Sequence, residues 1–461
     1  MTSSRFIHRA DSPTAFTLVE LLVSSTIALI VMGSVATLFG IFSRASTNSQ
    51  AIVDMSSRMR TTANRLRQDL AGLTAPLTPP ISPESNAGYF ELIEGPWTDS
   101  TDGSGNPITA SSTTSILADA DDALLFTTRS SAGPFKGNYN GNQVESSTAE
   151  VAWFCRTSTT QPVPGLQLQT LYRRQLLVVG YVGATPFFTA GAGTNNQVTG
   201  ALPSIYNTYD ISLRSDPTAS GALVPNTLGD LTSRENRFFH GTSFSIAFSS
   251  TATGLTFDST TREGEDVVLT NVIGFDVRVF DPDARPRWNG TTAVYPTDRS
   301  TGGYQTLSSS STSIFNGCFV DLGRSVADMA TVSGTTVISG TSPLSTAANA
   351  RSGLIATYDT WNSDYESNGR NDDNDTEDLN GNGVFDPGED INRNGIFDNP
   401  LIDEGTNGLD DDNDNRVDEP DEDETAPPYS RPLQAIEIRI RCYDLTSREI
   451  RQVTVRQMFT N

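Results

Sequence analysis

Lysine, histidine and cysteine are all scarce in this chain of 461 residues. The only lysine is Lys136, so nearly all of the 31 basic residues are arginines, and there are two histidines and three cysteines. Two histidines far apart in the sequence argue against His-based catalytic triads and most transition-metal sites. Cys155, Cys318 and Cys442 are too few and too scattered for a zinc site or a disulfide framework, and leave open one bridge or buried free thiols.

Positive charge is also in deficit, because 55 acidic residues outnumber the 31 basic ones and give a net charge of −24 at pH 7. Such a surface repels a phosphate backbone unless a basic patch offsets it, and the sequence contains no such patch. Nucleic acid is therefore not an expected partner. The motifs G-x-S-x-G, Walker A and H-E-x-x-H are missing as well, and no nucleophile–base pair or catalytic metal constellation replaces them. We do not expect an enzyme.

A long hydrophobic run lies near the N-terminus, at residues 16–42. These 27 residues would form a helix about 40 Å long at about 1.5 Å per residue, enough to span a hydrocarbon core of roughly 30 Å. No clear small-residue cleavage site follows the run, which argues against an ordinary secretory signal. Arg5 and Arg9 precede it, so we expect a single-pass anchor with a cytoplasmic N-terminus.

One carboxylate, Glu20, interrupts this run close to its start. An unpaired carboxylate costs on the order of 3 kcal/mol near the centre of a bilayer, so a partner is expected. Cleavage between Ala15 and Phe16 would create one, because the new α-ammonium would lie one helical turn from Glu20. The positive end of the helix dipole favours the same carboxylate. We therefore predict that proteolysis supplies the counter-charge of Glu20.

The sequence FTLVELLV at residues 16–23 resembles the cleavage and methylation motif of type IV prepilins. The resemblance implies that residues 1–15 are a leader, that a prepilin peptidase cuts before Phe16 and methylates its nitrogen, and that Glu20 guides docking into a growing filament. Ala15 stands where the family usually has Gly. Other pilins or pseudopilins and an assembly platform are the implied partners. The implied location is the bacterial inner membrane, with the head in the periplasm or on the cell surface.

After the hydrophobic run, residues 43–75 form the amphipathic second half of the predicted helix, and Pro76 lies just beyond it. Apolar residues recur there at steps of three and four and form one stripe, which predicts docking on a sheet. Asp69 and several arginines lie largely off this stripe. The stripe consists of Ile52, Met55, Met59, Ala63, Leu66, Leu70 and Leu73.

Alternating apolar residues predict a mainly antiparallel β head over residues 76–360, closed by a C-terminal hairpin within residues 427–461. The strand order resembles the minor pseudopilin J of type II secretion systems and the related minor pilin W group. Leu171, Tyr172 and Arg173 are the most recognisable part, although they need be no more than ordinary strand residues. The predicted fold class is α+β: a long transmembrane helix packed on a β head that carries an acidic insertion.

The acidic insertion occupies residues 361–426. Its residues 361–424 hold 23 acidic and three basic side chains, a net charge of −20. Such a block should stay disordered without counter-ions. Three successive stretches nevertheless resemble the spacing of 12-residue calcium loops, which place side-chain oxygens at positions 1, 3, 5, 9 and 12 and a backbone carbonyl at 7. The predicted ligands are Asp378, Asn380, Asn382, Val384, Asp386 and Glu389, then Asp390, Asn392, Asn394, Ile396 and Asp398, then Asp410, Asp412, Asp414, Asp418 and Asp421.

The first loop fits at every position, whereas the second has Leu401 at position 12 and the third has Asn415 in place of the turn glycine. Loops this close together leave no room for the helices of an EF-hand, and they resemble the calcium loops of dockerin or thrombospondin type-3 repeats. Calcium is the predicted cofactor, and a flexible acidic linker is the alternative.

These features favour a pseudopilin or minor pilin subunit of a type II secretion or type IV pilus-like filament, with a structural and assembly role. The alternative is a membrane-anchored calcium-dependent surface adhesin exported through a prepilin-type signal. Loss of an adhesin would abolish attachment and leave secretion intact, whereas loss of a pseudopilin would do the reverse.

Overall fold

The computed structural model describes residues 17–79, 81–94, 119–158, 168–179, 266–295, 317–322, 357–360 and 432–459 apart from a few positions, and shorter pieces of 162–238 and 331–336. The chain forms two compact units. One contains Met1–Ser56 with Asp444–Glu449, and the other contains Ser57–Tyr443 with Ile450–Asn461.

A single helix of 54 residues, α1 (Leu18–Ala71), forms the N-terminal part of the described chain. Its start is a capping box: the Glu20 amide donates to the Thr17 hydroxyl at 3.3 Å, and the Thr17 amide donates to the Glu20 carboxylate at 2.9 Å. The helix ends before Gly72, whose carbonyl accepts a hydrogen bond of 2.7 Å from the Arg129 amide. A side chain at position 72 would collide with the Arg129 carbonyl oxygen, so this close approach requires glycine.

The β strands are numbered in chain order, and two short 3₁₀ turns, Pro83–Ser85 and Asp230–Thr232, lie among them. The first ten strands are β1 (Phe90–Ile93), β2 (Ala123–Arg129), β3 (Phe135–Tyr139), β4 (Asn142–Ser146), β5 (Thr148–Thr157), β6 (Gln169–Leu177), β7 (Tyr181–Val182), β8 (Thr185–Pro186), β9 (Val198–Thr199) and β10 (Leu213–Ser215). The others are β11 (Ala222–Pro225), β12 (Val267–Asp281), β13 (Arg287–Trp288), β14 (Ala293–Val294), β15 (Cys318–Val320), β16 (Thr331–Val332), β17 (Thr335–Thr336), β18 (Thr357–Asp359), β19 (Ala435–Tyr443) and β20 (Ile450–Met458).

Nine of these strands form one sheet in the order β18-β1-β2-β5-β6-β12-β19-β20, with β15 also paired to β12. The described ladders of this sheet are all antiparallel. β12, with 15 residues, serves three neighbours: β6 near its start, β19 along most of its length and β15 at its end. The long apolar helix and the largely antiparallel sheet predicted from the sequence are confirmed, in agreement with the α+β class.

The amphipathic part of α1 contributes one face to the core of the second unit. Met59, Ala63, Leu66 and Leu70 are at most 3% exposed, as the predicted stripe requires. The Thr62 hydroxyl on this face also donates to the Val268 carbonyl at 3.4 Å. The periodic apolar residues therefore bury this part of the helix against the sheet.

The strands on either side of the acidic insertion stand far apart in the strand order, yet the chain brings their ends together. The Tyr358 hydroxyl accepts a hydrogen bond of 3.0 Å from the Leu433 amide, and it donates to the Leu77 carbonyl at 3.2 Å. The rings of Phe90 and Phe459 lie nearby, with centroids 6.0 Å apart. The sheet therefore curls so that the residues preceding and following 361–431 are fastened side by side.

The three cysteines are free and buried in the second unit, so the alternative of buried thiols holds and that of one bridge does not. Burial raises the pKa of Cys442 to about 12. Burial also raises the pKa of Cys155 well above its ordinary value, with a smaller contribution from Cys442. Few thiolates are therefore present at neutral pH, and these cysteines act as small apolar core residues.

Candidate functional site

The first feature with functional potential is the apolar N-terminal half of α1. The most apolar 18-residue stretch of this helix has a mean hydropathy of 2.1, and none of that stretch is buried. By length and composition this helix could serve as a membrane anchor or as a signal. The large apolar side chains exposed along it are Leu18, Val19, Leu21, Leu22, Val23, Ile27, Leu29, Ile30, Val31, Met32, Val35, Leu38, Phe39, Ile41 and Phe42.

The hydroxyl groups of this half of the helix are satisfied by its own backbone. Each donates to a carbonyl three or four residues earlier, at 2.7 to 3.0 Å. Such bonds remove the need for water at a polar side chain, which suits a helix surrounded by lipid or by other apolar helices. The residues concerned are Ser24, Ser25, Thr26, Ser34 and Thr37.

Glu20 has hydrogen-bond partners that the sequence-based argument overlooks. Its carboxylate accepts bonds of 2.9 and 3.0 Å from the amide and the hydroxyl of Thr17. The capping box therefore supplies two neutral donors to this carboxylate, whereas a positively charged partner created by proteolysis stays a prediction. The predicted processing residues Ala15 and Phe16 lie outside the described residues, and so do all predicted calcium ligands at positions 378–421.

Asp69 is buried, contrary to the prediction that it lies off the apolar stripe. Its carboxylate accepts bonds of 2.6 and 2.8 Å from Nε and Nη2 of Arg173 in β6, and a bond of 3.0 Å from the indole of Trp153 in β5. The side chains of Asp69 and Arg173 are 5% and 4% exposed. The Thr128 hydroxyl in β2 also donates to the Asp69 carbonyl, at 2.6 Å. One residue thus ties α1 to three strands.

Arg237 is buried beside two acidic residues of neighbouring strands. Its Nη1 lies 3.2 Å from Glu91 in β1 and 2.7 Å from Asp359 in β18, and all three side chains are 0% exposed. The two carboxylates face each other directly in the β1–β18 ladder. Nε and Nη2 of Arg237 donate to the carbonyls of Leu231 and Thr232 at 2.9 and 3.0 Å. The guanidinium therefore fastens its own segment to the edge of the sheet.

Glu150 of β5 extends this buried polar network. It accepts hydrogen bonds from the Tyr89 hydroxyl at 2.7 Å, the Phe238 amide at 2.9 Å and the Ser212 hydroxyl at 2.6 Å. Burial raises the pKa of Glu150 despite these bonds, which act in the opposite direction. The guanidinium carbon of Arg237 lies 4.0 Å from the centre of the Tyr89 ring, so the two groups of residues are continuous. Such a network stabilises the core only when every member keeps its partners.

A separate cluster consists of acidic side chains. Glu94 follows β1, and Asp119 and Asp122 precede β2; one carboxylate oxygen of each lies within 4.8 Å of the others, and all three residues are buried. The Asp119 carbonyl accepts a bond of 2.7 Å from the Phe275 amide, and the Asp122 carboxylate accepts one of 2.6 Å from the Val277 amide. These two amides belong to the part of β12 between its ladders with β6 and β15.

Comparison of the chain with protein-family models, with curated proteins and with solved structures found no match.

Proposed function

We propose that this protein is a pseudopilin or minor pilin subunit that joins a filament through its N-terminal helix. The observation that carries the proposal is the single carboxylate, Glu20, in the first turn of a helix whose apolar side chains are exposed as far as Phe42. An apolar surface of this size needs lipid or other helices to cover it. Residues 16–23 resemble the prepilin motif. This resemblance supports a helix that lies first in the membrane and later among other helices of a filament.

The side chains along residues 18–42 suit packing against other copies of such a helix. A side chain added at Gly33 or Gly40 would have open space around it, so both glycines leave a flat surface that a neighbouring helix can approach closely. The satisfied hydroxyls require no polar partner. In the assembled filament the ammonium group of a processed Phe16 would pair with Glu20, within a chain or between neighbours.

Glu20→Gln separates the two roles available to this residue. Glutamine also completes a capping box, so the start of the helix should persist. The charge is lost, however, and an ammonium left without its partner in lipid costs on the order of 3 kcal/mol, or about a hundredfold in docking. We expect the variant to be stable and processed but about a hundredfold less incorporated into filaments, measured in sheared surface fractions of the native host.

Thr17→Ala is the matched control, because it removes the hydroxyl from the capping box and leaves the carboxylate in place. It should cost about 1 kcal/mol of helix stability and still allow assembly. Normal assembly of Glu20→Gln would mean that Glu20 is only a helix cap. Mass spectrometry should find N-methylated Phe16 at the mature N-terminus, and an intact N-terminus at Met1 in the native host would contradict the proposal.

We further propose that the insertion 361–426 binds calcium through the loops predicted from its sequence. Asparagine-rich loops have few carboxylates, so the expected affinity is weak, with dissociation constants of about 10⁻⁴ to 10⁻³ M. Replacing 361–431 by a short Gly/Ser linker should remove this millimolar calcium uptake, measured by isothermal titration of the detergent-solubilised protein. The head should stay folded, because Tyr358 and Leu433 are in contact outside the deleted part. Equal uptake by both proteins would exclude the loops.

A further inference from the structure

The acidic cluster of Glu94, Asp119 and Asp122 has the properties of a buried cation site. The three residues are 5%, 1% and 1% exposed. They come from the end of β1 and from the four residues before β2, and the amides of Phe275 and Val277 in β12 hold Asp119 and Asp122 in place. Carboxylates so close together and so poorly hydrated repel one another strongly, because the low dielectric of the interior weakens charges far less than water does.

Asp119 provides an independent indication that a ligand is missing. Neither of its carboxylate oxygens has a hydrogen-bond donor in the structure as described. By contrast, Glu94 accepts a bond of 3.3 Å from the Leu322 amide, and Asp122 accepts one from the Val277 amide. Buried polar groups are almost always hydrogen-bonded, and the exceptions call for an explanation such as a bound ion. Both oxygens of Asp119 are thus available to a cation.

The surroundings of the cluster add further negative charge. Asp276 and Asp321 lie close by, and Arg278 is engaged with these two, at 3.0 and 3.2 Å. Burial raises the pKa of Glu94 and of Asp119 well above their ordinary values, and in both cases Asp122 is the next cause. A divalent cation would remove both costs, since it replaces the lost hydration and cancels the mutual repulsion.

We propose that Glu94, Asp119 and Asp122 bind a calcium ion inside the head. The donors are all carboxylate oxygens, which suit hard cations such as Ca²⁺ and Mg²⁺ rather than zinc or copper. At Ca²⁺–oxygen distances of about 2.3–2.6 Å, opposite ligands stand about 5 Å apart, so oxygens within 4.8 Å can all reach one ion. Mg²⁺ usually keeps several of its bound waters, and a site this deeply buried offers little water. Ca²⁺ is therefore the better fit.

This ion would fasten the residue after β1 and the residues before β2 to one another, next to the middle of β12. Because three buried charges must be neutralised before the head can close, calcium binding here would be coupled to folding. The site uses none of the ligands predicted at residues 378–421, and it does not depend on the proposed filament role. It should also bind more tightly than those loops, since its three ligands are all buried carboxylates.

Asp119→Asn tests the site in the full-length protein in detergent. The substitution keeps the shape of the side chain and removes one charge. After chelation, wild type should unfold at a lower temperature than Asp119→Asn, because the variant has less repulsion. CaCl₂ should raise the unfolding midpoint of wild type and leave that of the variant nearly unchanged. Wild type should bind about one calcium ion tightly per chain, and the variant should bind this ion at least tenfold more weakly.

Asp378→Asn, in the first loop of the insertion, is the matched control and should keep the tight ion. MgCl₂ at the same concentration should give a smaller shift of the wild-type midpoint. Equal calcium-induced shifts in wild type and Asp119→Asn would overturn the proposal. It would also be overturned if neither chelator nor CaCl₂ moved the wild-type midpoint, since the cluster would then be neutralised by protons alone.

Discussion

Arg237→Met is expected to be the most destabilising single substitution in the head. The guanidinium is the common partner of Glu91 and Asp359, which face each other in one ladder with no solvent exposure. Its loss would leave two buried carboxylates directly opposite each other, and like charges in that position repel. Removal of one partner of a buried ion pair typically costs about 3–5 kcal/mol, and here two carboxylates lose the same guanidinium together. The free energy of unfolding should fall by at least that amount.

Denaturant titration of the detergent-solubilised protein would measure the loss through the fluorescence of the buried Trp153. Arg214→Met is the matched control from the same region, because the Arg214–Asp230 pair at 3.1 Å is partly exposed, at 21% and 25%. It should cost about 1 kcal/mol or less. If Arg237→Met does not fold, the triple variant with Glu91→Gln and Asp359→Asn should regain folding, because it removes the repelling charges. A loss below about 1 kcal/mol for Arg237→Met would contradict the interpretation.

Asp69→Ala should cause the second largest loss of stability, because it removes the carboxylate that accepts hydrogen bonds from the buried guanidinium of Arg173 and from the indole of Trp153. We expect a loss of about 3–5 kcal/mol. Asp69→Asn should cost less, because an amide oxygen still accepts from Trp153. The double variant with Arg173→Met should be clearly more stable than the sum of the two single losses predicts, which a double-mutant cycle by denaturant titration would detect.

Asn64→Ala provides the control for the Asp69 prediction on the same helix. Asn64 bonds Arg67 at 3.0 Å on the exposed face, so its removal should change the free energy of unfolding by less than about 0.5 kcal/mol. Additive losses for Asp69→Ala and Arg173→Met would show that the two residues stabilise the head independently. The contact between helix and sheet would then rest on the apolar stripe alone.

The sequence was most informative where structure depends on local periodicity. Steps of three and four placed Met59, Ala63 and Leu66 on the buried face of α1, and alternation predicted a mainly antiparallel sheet. The same spacing contained a signal for Asp69, which follows Leu66 by three residues and so lies on the buried face. The prediction placed Asp69 off the stripe because its side chain is charged. Its partner Arg173 is 104 residues away, and nothing in the local sequence indicates the pairing.

The long-range polar contacts could not be derived from the sequence for the same reason. Arg237 and Glu91 are 146 residues apart, and only the strand register brings them together. The acidic cluster had a partial signal, since Asp119, Asp121 and Asp122 directly precede an apolar strand. The contribution of Glu94 depends on the pairing of β1 with β2, which the sequence alone did not reveal. Glu20 was identified by its charge in an apolar run, but its capping role required the positions of the Thr17 atoms.

The contact between Tyr358 and Leu433 has an evolutionary consequence. It joins the sheet across residues 361–431, so the head can keep its architecture whatever sequence the intervening stretch carries. Lengthening, shortening or exchange of that stretch would then leave the stability of the head nearly unchanged. A lineage could thus exchange that stretch of sequence while the helix and the head stay unchanged.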